Sequence, residues 1–374
     1  RELGNVCKIT MGQSPDGSTY SDTPSDFILV QGNADLKDGW VCPRIWTTQK
    51  TKTADAGDLI MSVRAPAGAM GKTAYDVVLG RGVAGIKGNE LIYQLLVKMD
   101  SEGYWKKLAA GSTFESINSD TITNAEIVIP QDIEEQETIG TYFRNLDHLI
   151  TLHQSIYEKM ISTKKSMLDR LFPQGEAKVP AIRFEGFEDD WEKKPLSAIV
   201  IPYSDPVEVP HNGYERLGIR SHGKGVFHEY VEAGKEITTA QLHRVAAHNF
   251  IVNITFAWEH AVAVTSDEDA GKLVSHRFPQ FSMADGIYDQ FLKYMILDAR
   301  FHHHLLLSSP GGAGRNRVLK IPEMLEYEMR IPDIEEQKQI AGYLNSLDNL
   351  IELYRIRVEK LKDIKAACLQ GMFV

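Results

Sequence analysis

The most regular pattern of hydrophobic and polar positions lies in two long stretches, one in the middle of the chain and one at its end. In each stretch, apolar or aromatic side chains recur at seven-residue intervals on two tracks, with mostly polar residues between them. This spacing, sustained over several heptads, predicts two long helices that pack along a common seam. The predicted seam residues are Ile139, Tyr142, Leu146, Leu149 and Met160 in the first helix and Ile340, Tyr343, Leu347, Leu350 and Leu361 in the second.

The two stretches are copies of one sequence. Residues 132–172 and 333–373 align without gaps, and 17 of the 41 aligned positions are identical. The alternative interpretation, a pair of unrelated core helices, is disfavoured by this repetition and by the absence of proline inside either copy. Because each copy closes the segment before it, the repeat divides the chain into two halves built on the same plan. At a rise of about 1.5 Å per residue, each copy would form a rod of roughly 60 Å.

Both copies carry the same signals for the start of a helix. An Ile-Pro pair comes just before, and a residue that precedes proline is biased toward extended conformations. Asp132 and Asp333 can then cap the helices. Glu135 and Glu336 follow three residues later, which predicts an acidic variant of the capping box.

The segments in front of the two helices have the pattern of mixed α/β domains. In the first half we predict strands at 27–31, 59–63, 74–78 and 127–130 and a helix at 89–101. In the second half we predict strands at 214–219 and 329–332 and a helix at 288–305. The fold class is therefore α+β, with an internal repeat that divides the chain into residues 1–131, 132–173, 174–332 and 333–374.

Composition places the 374-residue chain among globular proteins, with 43% hydrophobic and 25% charged residues. No apolar run of about 18 residues occurs, so we expect no membrane helix and no membrane partner. Cys7, Cys42 and Cys368 lie too far apart for a disulfide framework or a metal motif, which indicates a reducing cytoplasm. The net charge of −10 argues against a simple electrostatic DNA clamp, for which a basic domain is expected.

Motifs that would indicate catalysis or a cofactor are missing. His302, His303 and His304 are adjacent, so on a helix their side chains point in different directions and cannot easily share one metal ion. The glycine-rich stretch 311–314 lacks the Gly-Lys-Ser/Thr ending of a phosphate loop. We therefore predict no catalytic residues, no metal and no cofactor.

The chain resembles the specificity subunits of Type I restriction–modification systems. The resemblance is carried by Ile-Pro, Asp-Ile-Glu-Glu-Gln and a long helix, present twice and each time behind a divergent domain, and by the stretches 57–62 and 250–258. It implies that residues 1–131 and 174–332 are two target-recognition domains, each reading one half of a split target in double-stranded DNA. The two helices would form an antiparallel coiled-coil spacer related by a pseudo-two-fold axis. Two methyltransferase subunits and translocating restriction subunits would dock on this non-catalytic chain.

Reading base edges requires hydrogen-bond donors on protruding loops. Our candidates share a basic or hydroxyl side chain in a turn-rich stretch, and many surface charges of this kind have no such role. In the first domain they are Arg44, Lys50, Lys52, Arg64, Lys72, Ser112 and Thr113. In the second they are Arg220, His222, Lys224, Arg244, His260, Arg315 and Arg317. The stretches 220–224 and 311–317 stand out as groups, because their glycines allow the backbone to approach phosphates closely.

Two other functions fit parts of the sequence. A coiled-coil scaffold that joins proteins would explain the helices and the acidic balance, but it leaves the basic glycine-rich loops without a purpose. A hydrolytic enzyme with an unrecognised site would require a catalytic constellation that these motifs do not supply. Sequence-specific DNA binding that depends on a partner would favour a recognition subunit over the protein scaffold. Turnover by the isolated chain would support the hydrolytic enzyme.

Overall fold

The computed structural model describes residues 1–109, 116–236, 240–311 and 317–373. The chain divides into two compact units. The first combines residues 1–156 with the residues from Tyr354 onward, and the second consists of residues 157–353. Each unit therefore holds one sheet-rich domain and a part of both long helices. Within the described ranges, no helix is both long enough and apolar enough to cross a membrane.

The first unit contains short strands followed by helices. The strands are β1 (Lys8–Met11), β2 (Tyr20–Ser21), β3 (Phe27–Val30), β4 (Leu36–Lys37), β5 (Trp40–Val41), β6 (Ile45–Thr47), β7 (Thr53–Ala54), β8 (Leu59–Ser62), β9 (Met70–Lys72), β10 (Val77–Leu79) and β11 (Val83–Lys87). The helices are α1 (Glu90–Ser101), α2 (Tyr104–Ala109), α3 (Ser119–Thr123) and the first part of α4 (Ile133–Leu171).

These strands form two sheets, ordered β1-β11-β8-β9-β5-β4 and β2-β6-β3-β10-β7. Strand β8 is buried along its whole length because it has apolar partners on both faces. Leu59 and Met61 belong to the core shared with α1 and α4, whereas Ile60, on the opposite face, belongs to the core around β10. The predictions for β3, β8 and α1 are confirmed, and the strand expected at 74–78 begins only at Val77.

The second unit repeats the arrangement with a divergent sequence. Its strands are β12 (Glu192–Pro195), β13 (Val200–Tyr203), β14 (Pro206–Val207), β15 (Tyr214–Ile219), β16 (Val226–Val231), β17 (Leu242–Arg244), β18 (Phe250–Val252), β19 (Val262–Val264), β20 (Leu273–Ser275), β21 (Gln280–Met283) and β22 (Glu328–Ile331). Its helices are α5 (Asp289–Met295), α6 (Ala299–Leu307), α7 (Ile321–Leu325) and the first part of α8 (Ile334–Met372).

Three sheets are formed here, ordered β13-β21-β18-β19, β14-β17-β20-β15-β16 and β12-β22. The prediction for β15 is confirmed. The single helix expected at 288–305 is wrong, because Asp298 caps a new helix by accepting from the backbone N–H of Arg300 at 2.7 Å. Of the two strands predicted to precede the long helices, only the one before α8 forms, as β22, and the strand predicted at 127–130 does not. In the first half, a single bridge joins Glu2 to Glu126.

Within each unit, the two long helices run antiparallel. In the first unit, the Lys365 ammonium lies 2.6 Å from a carboxylate oxygen of Asp147, and the rings of His153 and Tyr354 are 5.5 Å apart. In the second unit, Lys164 forms the equivalent ion pair with Asp348. The two ion pairs join repeat-related residues, which fits the internal repeat predicted from the sequence.

The seam differs from its prediction by one residue on one track. Leu146 and Leu347 are buried, as expected for the first track. On the second track, Leu149 and Leu350 are 40% and 38% exposed, and Tyr142 is also exposed. The buried residues of that track lie one position later in each copy, at Phe143, Leu344 and Val358.

The remaining seam residues lie partly or fully in the apolar cores. Ile139 and Leu361 pack against the core of the first unit. Met160 and Tyr343 pack against the core of the second unit, in which Ile340 is fully buried.

Candidate nucleic-acid interface

Three candidates of the first domain have solvent-exposed side chains. Lys50 and Lys52 lie in the loop between β6 and β7, and the Lys50 ammonium lies 5.8 Å from the centre of the Phe27 ring. Arg64 follows β8, where its backbone forms a bridge with Ser116. All three can present positive charge to a ligand.

Two other candidates already have strong partners. The Nε of Arg44 donates to a carboxylate oxygen of buried Asp35 at 2.9 Å, and this carboxylate also accepts from the backbone N–H groups of Gln31 and Gly32. Lys72 is mostly buried on β9, and its ammonium lies 3.0 Å from the Glu90 carboxylate. The pair with Glu90 leaves little of Lys72 for DNA, whereas Arg44 keeps about half of its side chain exposed beside Asp35.

Ser112, Thr113 and Arg315 lie outside the described residues. They belong to stretches that the repeat relates, since Ile117 donates its backbone N–H to Val63 and Leu319 donates to Ile254 in the same way, each at 2.9 Å. The described residues that follow the two stretches, Ile117 and Leu319, therefore lie just beyond the interior strands β8 and β18.

The hairpin of β15 and β16 carries the main basic group of the second domain. Its turn contains Arg220, His222 and Lys224, all exposed. The backbone N–H of His222 donates to the carbonyl of Glu259 at 2.7 Å, and that of Gly223 donates to the carbonyl of His260 at 2.9 Å. Two backbone bonds thus fix the turn on the segment that follows β18, so its side chains project from a defined base.

His260 is a structural residue of this base. It is buried, its Nε2 lies 2.7 Å from the carbonyl oxygen of Ile296, and its ring stacks on that of His302 at 4.6 Å. Burial lowers the pKa of His260, because a charged imidazolium would lose its hydration. The side chain predicted to contact DNA is therefore directed inward.

Arg244 and Arg317 keep part of their surface free. The Nε of Arg244 lies 4.0 Å from an Asp205 carboxylate oxygen, at the limit of an ion pair. The Arg317 guanidinium lies 5.5 Å from the centre of the Trp258 ring, so Trp258 orients it by a cation–π contact.

Other residues near this hairpin were not among the candidates. Phe256 is 47% exposed in the turn after β18, and Ser221 donates its hydroxyl to the Glu259 carboxylate at 2.6 Å. Together with Phe227 they border a cavity of about 360 Å³. The sequence provides only a weak indication of these residues, namely that the alternation of apolar and polar residues is interrupted after β18.

The three adjacent histidines point apart, as expected for a helix. His302 bonds the carbonyl oxygen of Trp258 at 3.1 Å and His304 that of Glu323 at 2.8 Å. In the parts of the chain that the structure describes, no group of three or more His, Cys, Asp or Glu side chains is arranged to hold a metal ion. The interface offers hydrogen-bond donors, positive charge and aromatic surface.

Comparison with known families gives a match over the first half. Residues 1–160 match the family model described as the Type I restriction modification DNA specificity domain.

Two curated proteins of Methanocaldococcus jannaschii are similar to this chain. The MjaX specificity subunit of a type I restriction enzyme is 31% identical over 179 residues, which cover 46% of this chain and 41% of that protein. The MjaVIII specificity subunit is 25% identical over 289 residues, which cover 74% of this chain and 67% of that protein. The match thus spans less than half of the first relative's length.

A solved structure is similar over the whole chain. It is the S subunit of a Type I restriction–modification system from M. genitalium, with a TM-score of 0.65 and 12% identity over 100% of this chain and 95% of that chain. At this identity the likeness concerns the fold, two sheet-rich domains with two long helices.

Proposed function

We propose that the chain is a specificity subunit of a Type I restriction–modification system and that it selects a two-part target in double-stranded DNA. The observation that carries the proposal is the repeat itself. Two related domains keep the same scaffold and the same helix start, whereas their exposed basic turns differ. Two domains that share a scaffold but differ in their exposed loops would recognise two different half-sites.

Direct readout would come from the exposed donors. In the second domain, Arg220, His222 and Lys224 project from a two-stranded ribbon, an element that the major groove admits. In the first domain, the exposed side chains of Lys50, Lys52 and Arg64 would serve as donors. Because the chain carries a net charge of −10, we infer that partner subunits provide much of the phosphate neutralisation.

The long helices would act as the spacer that sets the gap between the two half-sites. The ion pairs Lys365–Asp147 and Lys164–Asp348 support this role, because they fix the register of the helices within each unit. A fixed register keeps the number of skipped base pairs constant, as half-site spacing follows from protein geometry.

The outer face of the helices would dock the partner subunits. Leu149 and Leu152 are exposed on α4, and the identical residues Leu350 and Leu353 are exposed on α8. Solvent-exposed leucines at repeat-related positions would provide two similar apolar docking sites, one for each of two copies of the same partner. We assign them to two methyltransferase subunits, with restriction subunits joining the assembly, and the chain itself would be a non-catalytic, cytoplasmic component.

The first experiment is selection from a library of split DNA sequences, with the chain alone and with its cognate methyltransferase. Enrichment of two fixed half-sites with a constant gap is expected for the complex. Exchange of residues 174–332 for those of another specificity subunit should then change one half-site and leave the other unchanged. If no sequence is enriched even with the methyltransferase, the chain does not read DNA and a protein scaffold becomes the better explanation.

A further inference from the structure

The cavity of about 360 Å³ beside the β15–β16 hairpin has no part in the readout proposed above. Four aromatic side chains line it, those of Tyr214, Phe227, Phe256 and Phe278, and the apolar floor includes Leu242 and Val274. Its volume is at the lower end of small-molecule sites, which occupy about 300–1,000 Å³. A single planar ring system therefore suits it better than a large ligand.

The aromatic wall is held in place by the backbone. A Cβ at Gly218 would lie 2.3 Å from the Phe227 ring, so only glycine allows this ring to lie directly on β15. The Arg220 guanidinium lies 5.3 Å from the centre of the same ring. Phe256, across the cavity, leaves almost half of its side chain in water. Exposed aromatic surface next to a cavity indicates a site for a flat partner.

The polar groups at the edge add a chemical preference. The Ser221 hydroxyl donates to Oε2 of Glu259, which orients the carboxylate and leaves Oε1 able to accept a further hydrogen bond. Arg216 lines the cavity but pairs with the Glu229 carboxylate at 2.5 Å, so the positive charge beside the opening comes mainly from Arg220. An amino group on the ligand would find an acceptor in Glu259, and a phosphate attached to the ligand would find the Arg220 guanidinium.

We propose that this cavity binds one unstacked nucleobase that carries an exocyclic amino group, adenine or cytosine. The ring stacks on Phe256 and Phe227, and the amino group donates to Glu259. The inference rests on the proposed function, since the base would come from the second half-site of bound DNA. A free nucleotide offers the same chemistry and is tested separately.

The test uses the complex of the full chain with its methyltransferase and its selected DNA target. Single mismatches are introduced along the second half-site, because a mismatched base costs less to extrude and therefore binds more tightly. We expect tighter binding at one position where adenine or cytosine is mismatched. Phe256→Ala should abolish this gain and weaken binding of the matched target roughly tenfold, the loss typical of a stacked base. Glu259→Gln should reduce the preference for adenine and cytosine at that position.

Tyr230→Ala is the matched control, because Tyr230 is an exposed aromatic residue of the same hairpin that does not line the cavity. It should keep the mismatch gain. A second arm titrates the wild-type complex and the Phe256→Ala complex with dAMP and dCMP in the absence of DNA. Binding that is lost in the variant would assign the pocket to a free nucleotide rather than to DNA.

Two results would overturn the inference. One is a wild-type complex that selects its split target while Phe256→Ala leaves both affinity and mismatch response unchanged. The other is a Phe256→Ala chain that no longer binds the methyltransferase without DNA, which would make the occupant a protein side chain. Failure of the proposed function looks different, because the wild-type complex would then select no sequence.

Discussion

At the scale of single residues, Glu336 is a buried charge of the second unit whose partners are all within hydrogen-bond distance. Its carboxylate is buried and accepts two hydrogen bonds at 2.8 Å from the Arg183 guanidinium and one at 3.1 Å from the Trp191 indole. The hydrogen bonds that the guanidinium donates to this carboxylate raise the pKa of Arg183. These contacts fasten the segment after α4 to the start of α8.

The first prediction concerns this pair. Arg183→Met should destabilise the chain by about 3–5 kcal/mol, because it leaves an uncompensated buried carboxylate. Lys338→Met, which removes an exposed ion pair with Glu335 on the same helix turn, should cost far less, because solvent screens an exposed pair. Urea unfolding of both variants followed by circular dichroism measures the difference. Equal losses would contradict a buried, structurally important pair.

His248 provides a pH-dependent contribution to stability. Its Nδ1 lies 2.8 Å from an Asp289 carboxylate oxygen, and this hydrogen bond, more than the nearby charge of Asp267, raises the pKa of His248 above 6.5. A raised pKa stabilises the fold fully below about pH 6.5, and this stabilisation is lost as the pH rises through the folded-state value.

The second prediction follows from that sign. Wild type should be more stable than His248→Gln at pH 5.5, by at most about 1 kcal/mol because the imidazole is half exposed. The difference should vanish at pH 9. Thermal unfolding of both proteins between these pH values tests it, and a difference that grows with pH would exclude the assignment.

The helix starts show how much of a local site the sequence contains. The caps were predicted correctly, since Asp132 and Asp333 accept from the backbone N–H groups two residues later at 2.9 and 2.8 Å. The capping box was wrong, because Glu336 pairs with Arg183 and Glu135 is exposed. A cap depends on neighbours in sequence, whereas the partner of Glu336 lies about 150 residues away.

At the scale of the helix, the shifted seam has a clear physical cause. Apolar residues occupy adjacent positions in both copies, as in Tyr142-Phe143 and Leu149-Ile150. On a helix with 3.6 residues per turn, positions three and four residues after a seam residue both lie near its face. The sequence pattern therefore allows either track, and the packing partner decides between them.

The third prediction compares the two tracks. Changing Leu146 and Leu347 together to Asp should unfold much of the helix pairing, because each Asp would bury a charge in an apolar core. Changing Leu149 and Leu350 together to Asp should leave the unfolding midpoint nearly unchanged. The Leu149 and Leu350 substitutions should instead weaken methyltransferase binding, measured by co-purification of the two proteins. Similar melting of both variants would refute the observed register.

At the scale of the whole molecule, the two-part plan could be predicted because it rests on a long repeat. The fine structure of the recognition surfaces could not. His260 lies in a stretch whose sequence resembles a surface loop, but its side chain is buried and bonds the carbonyl of Ile296. The Lys72 ammonium forms an ion pair with the Glu90 carboxylate. Contacts between residues distant in sequence decide which basic side chains remain available, so a pattern of charges alone overestimates the interface.

The fourth prediction concerns the salt dependence of DNA binding by the assembled complex. Arg220→Ala and Lys224→Ala should each weaken binding at low salt and reduce the slope of log K against log salt by about 1 if they contact phosphates. Lys235→Ala, which removes an exposed lysine paired with Glu232, serves as the control. If a variant loses selectivity at one base instead, its side chain contacts that base edge.

The first unit is completed by residues that follow the whole second unit in sequence, and this has a consequence for its synthesis. The Phe373 ring stacks on that of Phe143 at 5.7 Å in the core that also holds Leu3. About 230 residues separate the two phenylalanines, which a ribosome adds in roughly 10–45 s. During that time the nascent first unit exposes an incomplete apolar core. A chaperone that binds nascent chains should therefore associate with it early and be released only after the segment around Phe373 has been synthesised and has packed.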